Sequence, residues 1–105
     1  MPPQSKNAPQ AARAQSVTVS IPGPLRKYCR GAGEIEVTAS SVRAVLDDLE
    51  RQFPEIYRST CDETGSVRRH MNLFVNSDHI RDRDGLETAL DSGDVVTIMT
   101  AVSGG

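Results

Sequence analysis

The sequence predicts an α+β domain: a mixed sheet with one main helix packed on one face. Two periodicities and one compositional bias point there. Val17, Val19 and Ile21 alternate with Thr18 and Ser20, the period of two that marks a half-buried strand. In "SSVRAVLDDLERQFP" the apolar residues Val42, Val45, Leu46, Leu49 and Phe53 fall on one face of a helix. "VVTIMTAV", near the C-terminus, is rich in the β-branched residues that favour strands. A lone helix with one apolar stripe buries it by crossing one face of a sheet.

Residues 1–15, "MPPQSKNAPQAARAQ", hold three prolines and little that packs, and read as a disordered N-terminal tail. The ordered domain is expected over 16–102, beginning at "SVTVSI". "PGP" at 22–24 stops that strand and "GAG" at 31–33 marks a second turn. "EIEVTA" alternates again, so the first two strands read as a hairpin with a long connection. Ser41 is the expected N-cap of the helix, its hydroxyl free to accept an orphan backbone N–H. Pro54 ends the helix, because proline disfavours helical geometry at the residue before it.

Residues 55–70 are polar and contain Gly65, and read as a long loop with one short helical turn near Ile56 and Tyr57. "MNLFVN" is the third strand, with Met71, Leu73 and Val75 on one face and Phe74 on the other. "NSDHI" turns the chain and Ile80 begins a short return. "LETAL", 86–90, is too short for a standard helix and suggests a 3₁₀ turn. "DSGD" is a tight turn into the last strand. The expected order is β-β-α-β-β-β.

A chain of 105 residues suits one domain. Aromatics are 4% and Trp is absent, so the core must be aliphatic. No apolar run approaches the roughly 20 residues of a membrane helix. The N-terminus lacks the apolar stretch of a signal peptide, so the expected location is cytoplasmic, away from the membrane. Beyond residue 15 there are 10 basic and 14 acidic side chains, a poor balance for nucleic-acid binding. Cys29 and Cys61 have no zinc spacing and are expected as free thiols. His70 and His79 have no partner at ligand spacing and read as surface or edge residues.

One helix, this strand order and a terminal Gly104-Gly105 together resemble the ThiS/MoaD family of ubiquitin-like sulfur carriers. "NLFVN" followed by "DHIR" is similar to the family's central strand and turn, and "GLETALDSGDVVTIMTAVSGG" to its C-terminal signature. The resemblance covers roughly residues 16–105. The extended stretch after the helix is most similar to that of the longer carriers, typified by the mycobacterial carrier of cysteine biosynthesis. One departure is Thr100, where many members place a proline.

The resemblance implies a β-grasp, ubiquitin-like fold and a chain that is a protein co-substrate and no enzyme. The working group would be the Gly105 carboxylate. An E1-like adenylating and sulfurtransferase enzyme, using ATP and magnesium, would convert it to an acyl-adenylate and then a thiocarboxylate. The carrier itself would bind no cofactor and no metal. A sulfur-accepting synthase would consume the sulfur, and a metalloprotease would trim or release the C-terminus. Ser103, Gly104 and Gly105 would form a thin flexible tail, since a residue without Cβ passes a narrow channel in whatever φ it demands. Val102 and an outward-facing Phe74 would meet the partner enzymes. The acceptor stays open among cysteine, molybdopterin, thiazole, a tRNA base and a secondary metabolite. Two other readings share the fold: a ubiquitin-like modifier joined to lysines, and a non-catalytic β-grasp binding module.

Overall fold

The computed structural model describes residues 15–100. Five strands, β1 (Gln15–Ser20), β2 (Glu34–Ala39), β3 (Met71–Val75), β4 (Asp78–His79) and β5 (Val95–Thr100), form one sheet. Their order is β2-β1-β5-β3-β4. β1 runs parallel to β5 and antiparallel to β2, and β3 is antiparallel to both β5 and β4. The sheet is therefore mixed, as expected. β5 lies at its centre although it comes last in the chain.

The main helix, α1 (Val42–Gln52), starts where the N-cap chemistry places it. Ser41 Oγ accepts a 3.1 Å hydrogen bond from the Ala44 N–H. Val42, Val45, Leu46 and Leu49 are buried, and Leu49 is 0% exposed. Each such side chain contributes about 1.5–3 kcal/mol when fully removed from water. The stripe meets Val17, Val19, Leu73, Val75, Val96 and Ile98 from the sheet in one aliphatic core. Asp48 is also buried, with its carboxylate held by the Arg51 guanidinium and by Gln52 Nε2 at 2.6 Å.

Several expectations need correction. β1 begins at Gln15, one residue before the expected boundary, and Gln15 is only 6% exposed. Phe53 caps α1 rather than continuing it, its N–H donating to the Leu49 carbonyl. Pro54 does end α1, but it also opens a second helix, α2 (Pro54–Thr60). Proline suits that first position, where its missing N–H would have no partner and its φ is already helical. Ile56 and Thr60 are the buried residues of α2, too few to write a readable period. The rest of the expected loop is pinned as well. Asp62 Oδ1 accepts from the Thr64 N–H, the Thr64 hydroxyl and the Ser66 N–H, and Cys61 pairs with Val67. The Thr64 bonds, its hydroxyl first, hold the Asp62 carboxyl below its ordinary range. The long connection between β1 and β2 contains a 3₁₀ helix, Gly23–Cys29, which tucks Leu25 and Cys29 into the core.

Residues Ile80–Asp82 and Gly85–Glu87 form short 3₁₀ turns. The short return strand comes earlier than expected: β4 is Asp78–His79, and Ile80, expected to begin it, opens a 3₁₀ turn instead, while the second 3₁₀ turn starts at Gly85 and ends at Glu87 rather than spanning 86–90. Gly93, at φ +90°, sits in the "DSGD" turn, where the Asp94 N–H donates to the Asp91 carbonyl at 3.0 Å. Cys29 and Cys61 are free and buried. No helix among the described residues is long and apolar enough to cross a membrane.

Candidate functional site

The site expected from the sequence is the end of β5, so what positions β5 comes first. Its start is stitched from both sides. Asn76, in the left-handed region at φ 54°, donates its N–H to the Val95 carbonyl at 2.7 Å. Its side-chain oxygen accepts from the Val95 N–H at 3.1 Å. On the other side the Thr18 N–H donates to the Asp94 carbonyl at 3.0 Å, and the Gly93 N–H to the Ser16 carbonyl at 3.0 Å. Val96 and Ile98 then point into the core, 0% and 1% exposed, which locks the strand against slipping by one residue.

Pairing thins toward the far end. The β1 ladder runs from Thr18 opposite Val95 to Ser20 opposite Thr97 and stops. Ile98 to Thr100 are paired by β3 alone, Thr100 opposite Met71. The last described residues therefore leave along β3, from the end of the sheet's central strand. Val102, Ser103, Gly104 and Gly105 lie outside the described residues.

Phe74 faces away from α1, as alternation requires, because Leu73 and Val75 are both fully buried. It is half-buried rather than exposed, since its ring stands edge-on to His79 with centroids 5.0 Å apart. His79 is more than a bystander. Its Nδ1 accepts from the Arg81 N–H at 3.1 Å, so Nε2 carries the proton and donates to Asn72 Oδ1 at 3.0 Å.

Met99 is the residue the sequence reading missed. It is 48% exposed and shares the outer face with Phe74, its diagonal neighbour across the β3–β5 pair. Strand alternation carried the signal: with Val96 and Ile98 inside, Met99 must be outside. The two lie beside the strand end, interleaved with the polar Asn72 and Thr97 that stand directly opposite them. The outer face over β1 and β2 is polar instead, where the Glu36 carboxylate accepts from Ser16 and Thr18.

A cleft of about 460 Å³ lies between Tyr57, Arg58, Cys61, Asp62 and Arg68, and no residue of β5 lines it. Burial, reinforced by the Asp62 carboxylate, pushes the Cys61 thiol up to about 11. A thiol so raised is a poor nucleophile at neutral pH. Among the described residues, no group of three or more His, Cys, Asp or Glu is placed to hold a metal ion.

A five-stranded mixed sheet in this order, crossed on one face by one main helix, is the β-grasp, ubiquitin-like fold seen in the matching solved structures. The chain belongs to the ThiS family, whose family model matches residues 19–105. It is similar to the sulfur carrier protein CysO of Mycobacterium tuberculosis, 38% identical over 92 residues, covering 86% of this chain and 99% of that one. The crystal structure of M. tuberculosis CysO superposes with a TM-score of 0.76, covering 82% of this chain and 99% of that chain. A chain of the Amycolatopsis orientalis BexX/CysO complex is 36% identical with a TM-score of 0.77, covering 85% of this chain and 99% of its own. Small archaeal modifier protein 3 of Haloferax volcanii is 35% identical over 66 residues, 63% of this chain and 71% of that protein.

Proposed function

We propose that this chain is a sulfur carrier of the CysO/ThiS type, and not an enzyme, with the Gly105 carboxylate as its working group. The observation that carries the reading is the ThiS match, which runs through Gly105, on a fold that sends its C-terminal strand out from the sheet centre. A carboxylate is a poor electrophile. In an adenylating partner its oxygen attacks the α-phosphorus of magnesium-bound ATP, and pyrophosphate leaves. Sulfide then attacks the acyl carbon and AMP leaves, giving a thiocarboxylate. If a persulfide attacks instead, the acyl disulfide formed is cleaved by a thiol, which ends as the disulfide. The thiocarboxylate sulfur is the nucleophile delivered to a synthase. A metalloprotease would act on the C-terminus to trim it or to release a product.

In this reading the outer sheet face around Phe74 and Met99 is the surface that partner enzymes grip. The support is its position: it carries Phe74 and Met99 among polar neighbours, it faces away from the core, and it includes β5, which leads toward the C-terminus. The A. orientalis complex is a precedent for a CysO chain held by a second protein.

One observation favours a second reading. The likeness to Small archaeal modifier protein 3 is consistent with conjugation, in which a lysine amine displaces AMP from the same adenylate and forms an isopeptide. One experiment separates the two. The full chain is incubated with its cognate adenylating enzyme, ATP, Mg²⁺ and sulfide, and its intact mass is measured. The carrier reading expects a gain equal to replacing one oxygen by sulfur, localised to Gly105. A competent enzyme that adenylates the chain yet yields only lysine conjugates would establish the modifier instead. No change at the C-terminus would overturn both.

A further inference from the structure

A second surface has no part in the proposed function. It is a groove of about 390 Å³ between the 66–69 segment and the 79–86 segment. Its floor is the free flank of β3. β4 is two residues long and pairs only with Phe74 and Val75, after which the chain turns away at Ile80 into a 3₁₀ turn. Met71, Asn72 and Leu73 therefore have a strand on the β5 side and none on the groove side, where the Met71 N–H donates to the Arg68 carbonyl at 2.9 Å.

The groove's charge runs against that of the whole chain. Three arginines, Arg68, Arg69 and Arg81, and one histidine, His79, line it, and no carboxylate does, although the chain carries 14 acidic residues. Among the described residues Arg43, Arg51, Arg58 and Arg83 each have a carboxylate within 4 Å, whereas Arg26, Arg30, Arg68, Arg69 and Arg81 have none, and three of these five gather at the groove. Arg69 and Arg81 are exposed. Arg68 is held in place by a 2.8 Å bond from its Nε to the Arg58 carbonyl. Apolar Val67, Leu73, Ile80 and Leu86 supply the rest of the wall.

We propose that this groove binds a short, extended, acidic segment of a partner protein, laid along the β3 edge with carboxylates on Arg69 and Arg81. A sheet edge accepts an extended backbone, and alternate side chains of that backbone enter pockets. Guanidinium groups without partners bind carboxylates through paired N–H donors. The strandless flank, Met71–Leu73, is about 10 Å long at strand rise, and with the Met71 N–H already bonded to the Arg68 carbonyl, two or three residues of a partner fill the rest. A nucleic acid fits less well. Double-stranded DNA carries a charge every ~1.7 Å of its axis. Such a polyanion would run onto exposed Asp82, Asp84 and Glu87, which follow Arg81 directly.

The test uses the full-length, unactivated chain. Because no thiocarboxylate is needed, failure here leaves the carrier reading intact, and failure of that reading leaves this one. The ¹⁵N-labelled chain is titrated with a blocked hexapeptide of alternating glutamate and valine. Its lysine–valine counterpart and hexathymidylate serve as comparison probes. Saturable amide shifts are expected within 66–73 and 79–86, with affinity falling as salt rises. The double reversal Arg69→Glu/Arg81→Glu should weaken binding at least tenfold, and Arg69→Gln/Arg81→Gln by less, both with the parent's melting temperature. The proposal is overturned if the shifts centre on Met99 or β2, or if the double reversal binds like the parent. It is also overturned if the glutamate peptide shows no saturable binding, or if hexathymidylate binds as tightly, which would make the groove a nucleic-acid surface.

Discussion

Phe74→Ala should separate partner docking from stability. The ring is half-buried on the outer sheet face, edge-on to His79 at 5.0 Å. Truncation deletes that edge contact, worth about 0.5–1.5 kcal/mol, and leaves fully buried Leu73 and Val75 in place. Loss of the ring's half-burial adds about 1 kcal/mol, so at ~4–8 °C per kcal/mol for a domain of this size the melting temperature should fall by roughly 6–20 °C. A core phenylalanine would cost about 3–5 kcal/mol, or roughly 12–40 °C on the same scale. Docking should suffer as well, so binding is measured well below the melting range. An apolar anchor at an interface centre is worth about 2 kcal/mol or more. At ~1.4 kcal/mol per decade, affinity for the adenylating enzyme should drop about 30-fold. Met99→Ala is the cleaner companion, because a side chain 48% exposed gives little to the fold. It should weaken binding with an unchanged melting curve. Calorimetric titration against the cognate adenylating enzyme, with thermal melts alongside, measures both. Arg13→Ala, outside the described residues, should move neither. If both Phe74→Ala and Met99→Ala bind like the parent, the outer face is not the docking surface.

Period and punctuation in the sequence had already marked most of what holds β5 in place. The α1 stripe, its Ser41 cap, the inward set of β3 and the "DSGD" turn all write strong local signals, because one face is buried and one residue type fits each turn. α2 was half legible: a helical turn near Ile56 and Tyr57 was expected, but its start at Pro54 and its full length were not, for a physical reason. A seven-residue helix with Ile56 as its buried apolar side chain shows no period, and Pro54 reads as a stop until its role at a first helical turn is seen. The Gly23–Cys29 3₁₀ helix was hidden altogether, with Leu25 and Cys29 as its only anchors. The outer-face pair was also half legible. Phe74 followed from alternation, and Met99 follows from the same rule applied to β5. The environment of His79 was not legible, because its partners Asn72 and Phe74 belong to another strand and only the β3–β4 register brings them together. The arginine groove was invisible for the same reason: Arg69 and Arg81 are separated in sequence by the whole of β3 and β4.

Deleting Gly104 and Gly105 should abolish thiocarboxylate formation in the mass assay while shifting the melting temperature little; a large fall would make the C-terminus structural. Leu49→Ala removes three carbons from a site with no exposure, about 2.4 kcal/mol of transfer plus a cavity, so a loss of about 2–5 kcal/mol is expected in urea denaturation. Collapse around the gap would remove only the cavity cost, so a near-neutral result would show that Leu49 is not buried against the sheet. Cys61 gives a pH signature whose sign follows from its burial. The ordinary thiol value is 9.0 and the folded value is about 11. The folded state therefore favours the protonated form, and this contribution to stability is complete below 9.0 and is lost as pH rises toward 11. Urea midpoints should fall across that window in the parent and fall less in Cys61→Ala. In the native chain the thiol should resist a disulfide reagent at neutral pH and react once urea unfolds the domain. In Cys29→Ala, where Cys61 is the remaining thiol, quick reaction in the native chain at neutral pH would refute the buried placement beside Asp62, and with it the raised value.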